Sequence, residues 1–301
     1  MMPTINRLDE LADKLDAGGW CSREDAALLL SSHDLVRIGM LGEAARRRVT
    51  GNDVFFGRVC AIDGPTLPAT KGAAGEVRLV GAPGSADEAC ARVRAAAAFA
   101  DGTVLTGYSL ADLLDLAGHD HLVLAELAQA LRSEGLQAVA ETPIDRLGPA
   151  ELAVEVIRAV QHGGLATWRL TVDRAPMTDR LDLVMRAVEI QREVGGVEAF
   201  APLPRLDPAE LPSTGYDDVR TIAVARIVCQ SIGRIQVDWP LYGPKLAQVA
   251  IAYGANDIDG IAPVDTAELG PRRAAAEDIA RQIRAASGVP VERDGRYQPR
   301  A

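Results

Sequence analysis

Aromatic residues are scarce in this chain. Four Phe, five Tyr and three Trp make up 4 % of its 301 residues, so Ala, Val, Leu and Ile must fill whatever core it forms. Cysteine is scarcer still. Cys21, Cys60, Cys90 and Cys229 lie far apart, no two share C-x-x-C spacing, and no disulfide framework is expected. No apolar run approaches the ~20 residues of a membrane-spanning helix. The opening MMPTINRLDELADKLDAGG carries charge throughout and has no apolar signal-peptide stretch. A cytoplasmic, reducing setting without membrane association is therefore expected. Positive charge is also in deficit, with a net charge of -10. A nucleic-acid partner, which calls for a basic face, is not expected. There is no P-loop, no G-x-S-x-G elbow, and no G-x-G-x-x-G after the first strand candidate, which weighs against a dinucleotide-binding sheet.

What is present is alternation. The first fifty residues read as helices, one opened by Ser22-Arg23-Glu24-Asp25, with the spacing of a capping box. Another, over 33–48, ends in Arg46-Arg47-Arg48, cations that suit the negative end of a helix. After residue 50, short β-rich runs take over: NDVFFGRV, EVRLVG, TVLTG, LQAVAE, ATWRLTVD, VEAFAPL, RIQVDW and a weaker DIDGIAP. Helical patterns lie between them near 85–100, 109–133, 149–162, 178–194, 216–232, 243–253 and 272–286. Strands alternating with helices imply a parallel sheet covered by helices. The expected fold is α/β: a full or partial (β/α) TIM-like barrel over 51–301, preceded by a helical N-terminal extension over 1–50. The stretch GRVCAIDGPTLPATKG, 57–72, follows the first strand candidate and reads as a loop holding a lone thiol, Cys60.

Such barrels carry chemistry at the C-terminal ends of their strands. Here those ends hold Gly81, Tyr108, Glu141, Asp173, Arg205 and Asp238. Each carboxylate also has a plainer use, as a helix cap or a water-facing group. His119-Asp120-His121 does not suit a metal, because residues at i and i+2 do not share a helix face. Asn256, Asp257 and Asp259 form an acidic stretch that reads first as turn chemistry.

The run TGYDDVRTIAVARIVCQSIGRIQVDWPLYGPKLAQVAIAYGANDIDG, 214–260, strongly resembles aminofutalosine synthase, a radical S-adenosylmethionine enzyme of the futalosine route to menaquinone. GGVEAFAPLP at 195–204, residues 22–56, residues 103–136 and the closing VPVERDGRYQ extend the resemblance over most of the chain. The family carries C-x-x-x-C-x-x-C after its first strand, where three thiolates hold a four-iron four-sulfur cluster. Here 57–75 is far shorter and holds only Cys60; the cluster loop and the helix after it are missing from the pattern. The glycine-rich strand end that admits S-adenosylmethionine is replaced by VAETPIDRLG, 139–148.

The resemblance with these two departures implies a cluster-less relative. It would have neither an iron–sulfur cluster nor S-adenosylmethionine as cofactor. It would act as a ligand-binding, partner or regulatory protein, beside an active radical relative or as a homodimer. The alternative is changed acid/base chemistry on a related benzoate or nucleoside, with Glu141, Asp173 and Asp238 as catalytic candidates. Ligand-binding candidates are Tyr108, Arg169, Arg205, Trp239, Tyr242, Lys245 and Asp257, with the helix start at Tyr242-Gly243-Pro244-Lys245 suited to a carboxylate.

Overall fold

The computed structural model describes residues 4–174, 176–206, 213–264 and 275–300. Three helices open the chain: α1 (Thr4–Asp16), α2 (Arg23–Ser31) and α3 (Leu35–Thr50). The Ser22–Asp25 capping box forms as the sequence predicts. The three-arginine run is absorbed locally. Arg46 is fully buried and donates to the Gly51 carbonyl, Arg47 pairs with Glu43, and Arg48 pairs with Asp16.

Eight parallel strands then alternate with helices. These are β1 (Asp53–Asp63), β2 (Glu76–Val80), α4 (Ala86–Ala100), β3 (Val104–Ser109), α5 (Leu110–Leu116), α6 (His121–Ser133), β4 (Ala138–Pro143), α7 (Ala150–His162), β5 (Arg169–Val172), α8 (Arg180–Val194), β6 (Ala199–Pro204), α9 (Gly215–Val228), β7 (Arg234–Asp238), α10 (Trp239–Ala252) and β8 (Asp257–Ile261). The sheet runs β2 through β8 to β1, and β1 pairs back onto β2, so the barrel closes. After α11 (Ala276–Ala285), a ninth strand, β9 (Val289–Arg293), pairs with the lower half of β1 from Asp53 to Gly57. The upper half of β1, Val59–Asp63, pairs with β2. The C-terminal strand thus fills the gap where β1 and β2 diverge at the barrel floor.

Each of the eight expected strands forms. The differences have local causes. The single helix expected over 109–133 is two, because Gly118 and His119 are both left-handed at φ +61° and Asp120 caps a new helix by accepting from the Leu122 and Val123 N–H groups. The helix expected over 243–253 starts earlier, at Trp239, and breaks at Gly243, whose φ is +74°. The stretch around Cys60 is strand, not loop: β1 continues to Asp63. β9 falls within VPVERDGRYQ, where the sequence shows only the family resemblance, because VPVER is too short and too charged to announce a strand. The first residues of the helix expected over 272–286 lie outside the described residues.

The opening helices are not a separate body. α3 packs against α9 and α10, and α2 against α8 and α9. Glycine makes the approach possible: a Cβ on Gly42 would lie 2.3 Å from the Tyr253 carbonyl oxygen. One connection stands apart. β1 and β2 are joined by residues 64–75, which contain no helix. The chain lies instead against the segment after β8, with the Ala73 N–H donating to the Pro263 carbonyl at 2.8 Å.

Gly42→Ala should therefore destabilise the fold by overpacking, by about 2 kcal/mol. Urea unfolding of the variant and the wild type measures this. An unchanged midpoint would mean that α3 does not dock as described.

Candidate ligand site at the barrel mouth

The lumen of this barrel is filled by charge. β2 presents Glu76 and Arg78 two residues apart, hence on the same face. Arg78 donates to both oxygens of Glu76 at 2.7 and 2.8 Å and to Asp259 on β8 at 2.8 and 3.2 Å. Arg169 on β5 reaches the same Asp259 at 2.5 Å, and also the Ala140 carbonyl and Gln236. Arg293 on β9 completes the set, at 3.0 Å from Asp259 and 2.6 and 2.8 Å from Asp257. Three guanidiniums on one carboxylate outweigh its burial and hold the Asp259 pKa well below the ordinary carboxylate range. Tyr297 lies beneath, with Arg293 over its ring and its own pKa pushed up to about 12 by burial.

Above this layer is the C-terminal mouth. Arg205, at the end of β6, bridges two carboxylates: Glu141 at 3.0 Å and Asp238 at 3.1 Å. Arg169 lies 3.5 Å from the same Glu141 oxygen, Oε1. Burial works to raise the Glu141 pKa, but Arg205 and Arg169 prevail and hold it below its usual value. A cavity of about 220 Å³ opens over this group, with Val59, Ala61, Val80, Pro240 and Leu241 as apolar wall. A smaller one of about 80 Å³ lies on the other side of Glu141, between Gly81, Ser109 and Asp112.

The sequence-derived candidates divide by depth. Glu141, Arg205 and Asp238 converge at the mouth. Asp173 is drawn to the rim by Arg146, at 3.3 Å, which also binds Asp112 and Asp115. Burial, with Asp145 and Glu141 nearby, raises the Asp173 pKa. Arg169 and Asp257 lie below the mouth, consumed by the lumen network. Trp239 is buried in the core at 1 % exposure. Tyr108 is left-handed at φ +62°, lines the smaller cavity, and sends its hydroxyl out to donate to the Ala89 carbonyl on α4. The Tyr242 hydroxyl donates to the Pro204 carbonyl, and Lys245 is exposed on α10. Asn256 serves the backbone, accepting from Ile235 N–H and donating to the Gly233 carbonyl. His119 and His121 sit near Asp115 and Glu155 at the start of α6. No group of three or more His, Cys, Asp or Glu among the described residues has a metal-holding arrangement. No described helix is long and apolar enough to cross a membrane.

Sequence reasoning missed Glu76, Arg78 and Arg293 and gave Asp259 a turn role. A signal for the first pair existed. In EVRLV, two opposite charges occupy alternate positions of an otherwise apolar strand, the pattern of a buried pair.

A closed eight-stranded parallel barrel with a charged mouth places the chain among TIM-like α/β proteins. The maturase HydG from Carboxydothermus hydrogenoformans shares this fold, with a TM-score of 0.68 at 10 % identity over 97 % of this chain and 81 % of that one. Residues 201–301 match the family described as CofH/MqnC C-terminal region. The aminodeoxyfutalosine synthase of Streptomyces coelicolor is 27 % identical over 96 % of this chain and 93 % of its own length. The 5-amino-6-(D-ribitylamino)uracil–L-tyrosine 4-hydroxyphenyl transferase of Methanococcoides burtonii is 28 % identical over 49 % of this chain and 44 % of its own. The chain is a homologue of aminodeoxyfutalosine synthase and of other radical S-adenosylmethionine family members. The Streptomyces alignment runs over 363 residues against 301 here, so that relative carries segments with no counterpart in this chain.

Asp259→Asn should cost about 3–5 kcal/mol, because it strips a buried charge from three guanidiniums. The depressed pKa of Asp259 contributes stability that is complete above the unfolded value of about 3.9 and is lost as pH falls below it. Denaturant midpoints measured between neutral pH and pH 3 should therefore fall for the wild type and fall less for the variant. Parallel curves would remove Asp259 from this role.

Proposed function

We propose that this chain is a non-radical relative of aminodeoxyfutalosine synthase that binds a small molecule at the barrel mouth. Its place would be menaquinone synthesis by the futalosine route, as a ligand-binding, partner or regulatory protein beside an active radical relative or as a second copy of itself.

The connection from β1 to β2 carries this reading. Residues 64–75 hold neither a cysteine nor a helix. The nearest thiol, Cys60, lies between Val59 and Ala61, which face the larger cavity. The two-residue period of a strand turns Cys60 the other way, toward the helix layer. It is 4 % exposed, and burial raises its pKa, which favours the thiol over the thiolate. One such group does not supply the three thiolates that a four-iron cluster with an open iron requires. The resemblance implies a glycine-rich strand end where this chain has VAETPIDRLG, and at the end of β4 here Glu141 carries a side chain that borders both cavities.

Binding is favoured over acid/base chemistry. A general base works best with a pKa near the working pH, and Glu141 is held on the low side by Arg205 and Arg169. Asp173 moves the other way, but it is tied to Arg146.

Anaerobic reconstitution with iron and sulfide, followed by iron counting and visible spectroscopy, should yield no stoichiometric cluster. A four-iron cluster would end this reading. In a thermal-shift series, the enolpyruvyl benzoate or aminofutalosine at about 100 times its dissociation constant should add roughly 2.7 kcal/mol. S-Adenosylmethionine should add nothing.

A further inference from the structure

We infer that a ligand carboxylate takes Arg205 over from Glu141, and that the displaced Glu141 turns into the smaller cavity to accept from the Ser109 hydroxyl. This rests on the ligand-binding reading above and adds to it how a mouth already lined with carboxylates admits an anion.

The cations that border the larger cavity are Arg78 and Arg205. Arg78 is spent on Glu76 and Asp259, to which it makes four hydrogen bonds. Arg205 is not spent. A guanidinium can donate several hydrogen bonds, and among the described residues Arg205 donates one, to Asp238 at 3.1 Å. A third carboxylate beside it would crowd like charge onto one cation, so an incoming anion displaces the more loosely held of the two already there. Asp238 is fixed twice, by Arg205 and by the Leu241 N–H at 3.0 Å. Among the described residues, the Glu141 carboxylate is held by ion pairs alone, at 3.0 Å to Arg205 and 3.5 Å to Arg169.

The place for Glu141 to go lies across the strand pair. Ser109 on β3 is the register partner of Glu141 on β4, and both line the smaller cavity. The Ser109 hydroxyl is buried and has no hydrogen-bond partner. It precedes α5 without capping it, although serine is among the preferred caps. A buried polar group left unpaired is costly, and a carboxylate is the acceptor that satisfies a hydroxyl most strongly. The cavity, at about 80 Å³, is several times the ~10–15 Å³ that one water needs, and Gly81 puts no side chain into it. Charge stays matched in the turned position. Arg169 is fixed on the Ala140 carbonyl at 2.7 and 3.0 Å, beside Glu141 whichever way that side chain points. Asp112, the other carboxylate on this cavity, is paired with Arg146 at 3.0 Å. Ser109 is thus a positioning residue, acting on the ligand through Glu141.

Benzoate and the enolpyruvyl benzoate are the probes. Crystals of the full chain would be compared with and without them, and affinities measured at pH 7 by calorimetry or saturation-transfer NMR. The bound probe should place a carboxylate on Arg205, with Glu141 turned to within hydrogen-bond distance of Ser109 Oγ. Ser109→Ala should leave the melting temperature of the free protein unchanged or slightly higher, because the hydroxyl it removes has no partner there. The same variant should bind the probe about tenfold more weakly, the loss expected for a hydrogen bond to a charged group. In a Glu141→Ala background, where no side chain crosses the cavity, Ser109→Ala should change affinity little. A probe bound with Glu141 still on Arg205, or wild-type affinity in Ser109→Ala, overturns the inference and leaves the ligand-binding reading standing. The crystals and the single variant decide this even if Glu141→Ala fails to fold. Failure of the wild type to bind either probe removes the reading beneath it as well.

Discussion

Asp259 sits where three strands deliver an arginine to one point: Arg78 from β2, Arg169 from β5 and Arg293 from β9. With 0 % exposure, this carboxylate has no water to fall back on, and neither has Arg293. The cluster holds only if every partner is in place, because one unmatched charge in a low-dielectric interior costs more than a lost surface pair. Barrel closure, the seating of the C-terminal strand and the position of the mouth are therefore coupled. Arg169 makes the coupling direct, since it reaches down to Asp259 and up toward Glu141.

The motif runs that align this chain with its relatives turn out to serve that frame. Thr214 and Asp217 form a capping box at the start of α9. Asp218 pairs with buried Arg180. Arg226 has no carboxylate partner among the described residues; it donates to the Cys229, Ile232 and Gly233 carbonyls, and burial lowers its pKa to about 10. Gly254, at φ +109°, lets the chain pass where a Cβ would lie 2.8 Å from the Arg226 side chain. These residues explain why homology in the C-terminal third reports on architecture. Chemistry in such a barrel lives in loops at the strand ends, and in this chain the connection after β1, residues 64–75, contains no helix and no cysteine.

Much of the fold was legible because period and punctuation are local. EVRLV, AFAPLP and RIQVD are short apolar runs between helical patterns, and Ser22–Asp25 announces its helix by spacing alone. Boundaries were less legible. The break after α5 depends on left-handed Gly118 and His119, and His119 carries no such signal in its residue type. At the site, Glu141, Arg205 and Asp238 were readable as strand-end charges, but Arg169 and Asp257 looked equally suited to a ligand. Only depth along the barrel axis separates them, and depth depends on strand register.

The sequence by itself determined the alternation of strands and helices, the family resemblance, and the lack of a cysteine motif after the first strand. These are properties of residues near one another in the chain. Tertiary structure alone decided which charges meet. Arg78 lies 181 positions from Asp259; no local rule brings Arg78, Arg169 and Arg293 to one oxygen pair. Barrel closure does so, because it turns the inward face of every strand toward a single narrow lumen, where a charge must find its partner across the axis.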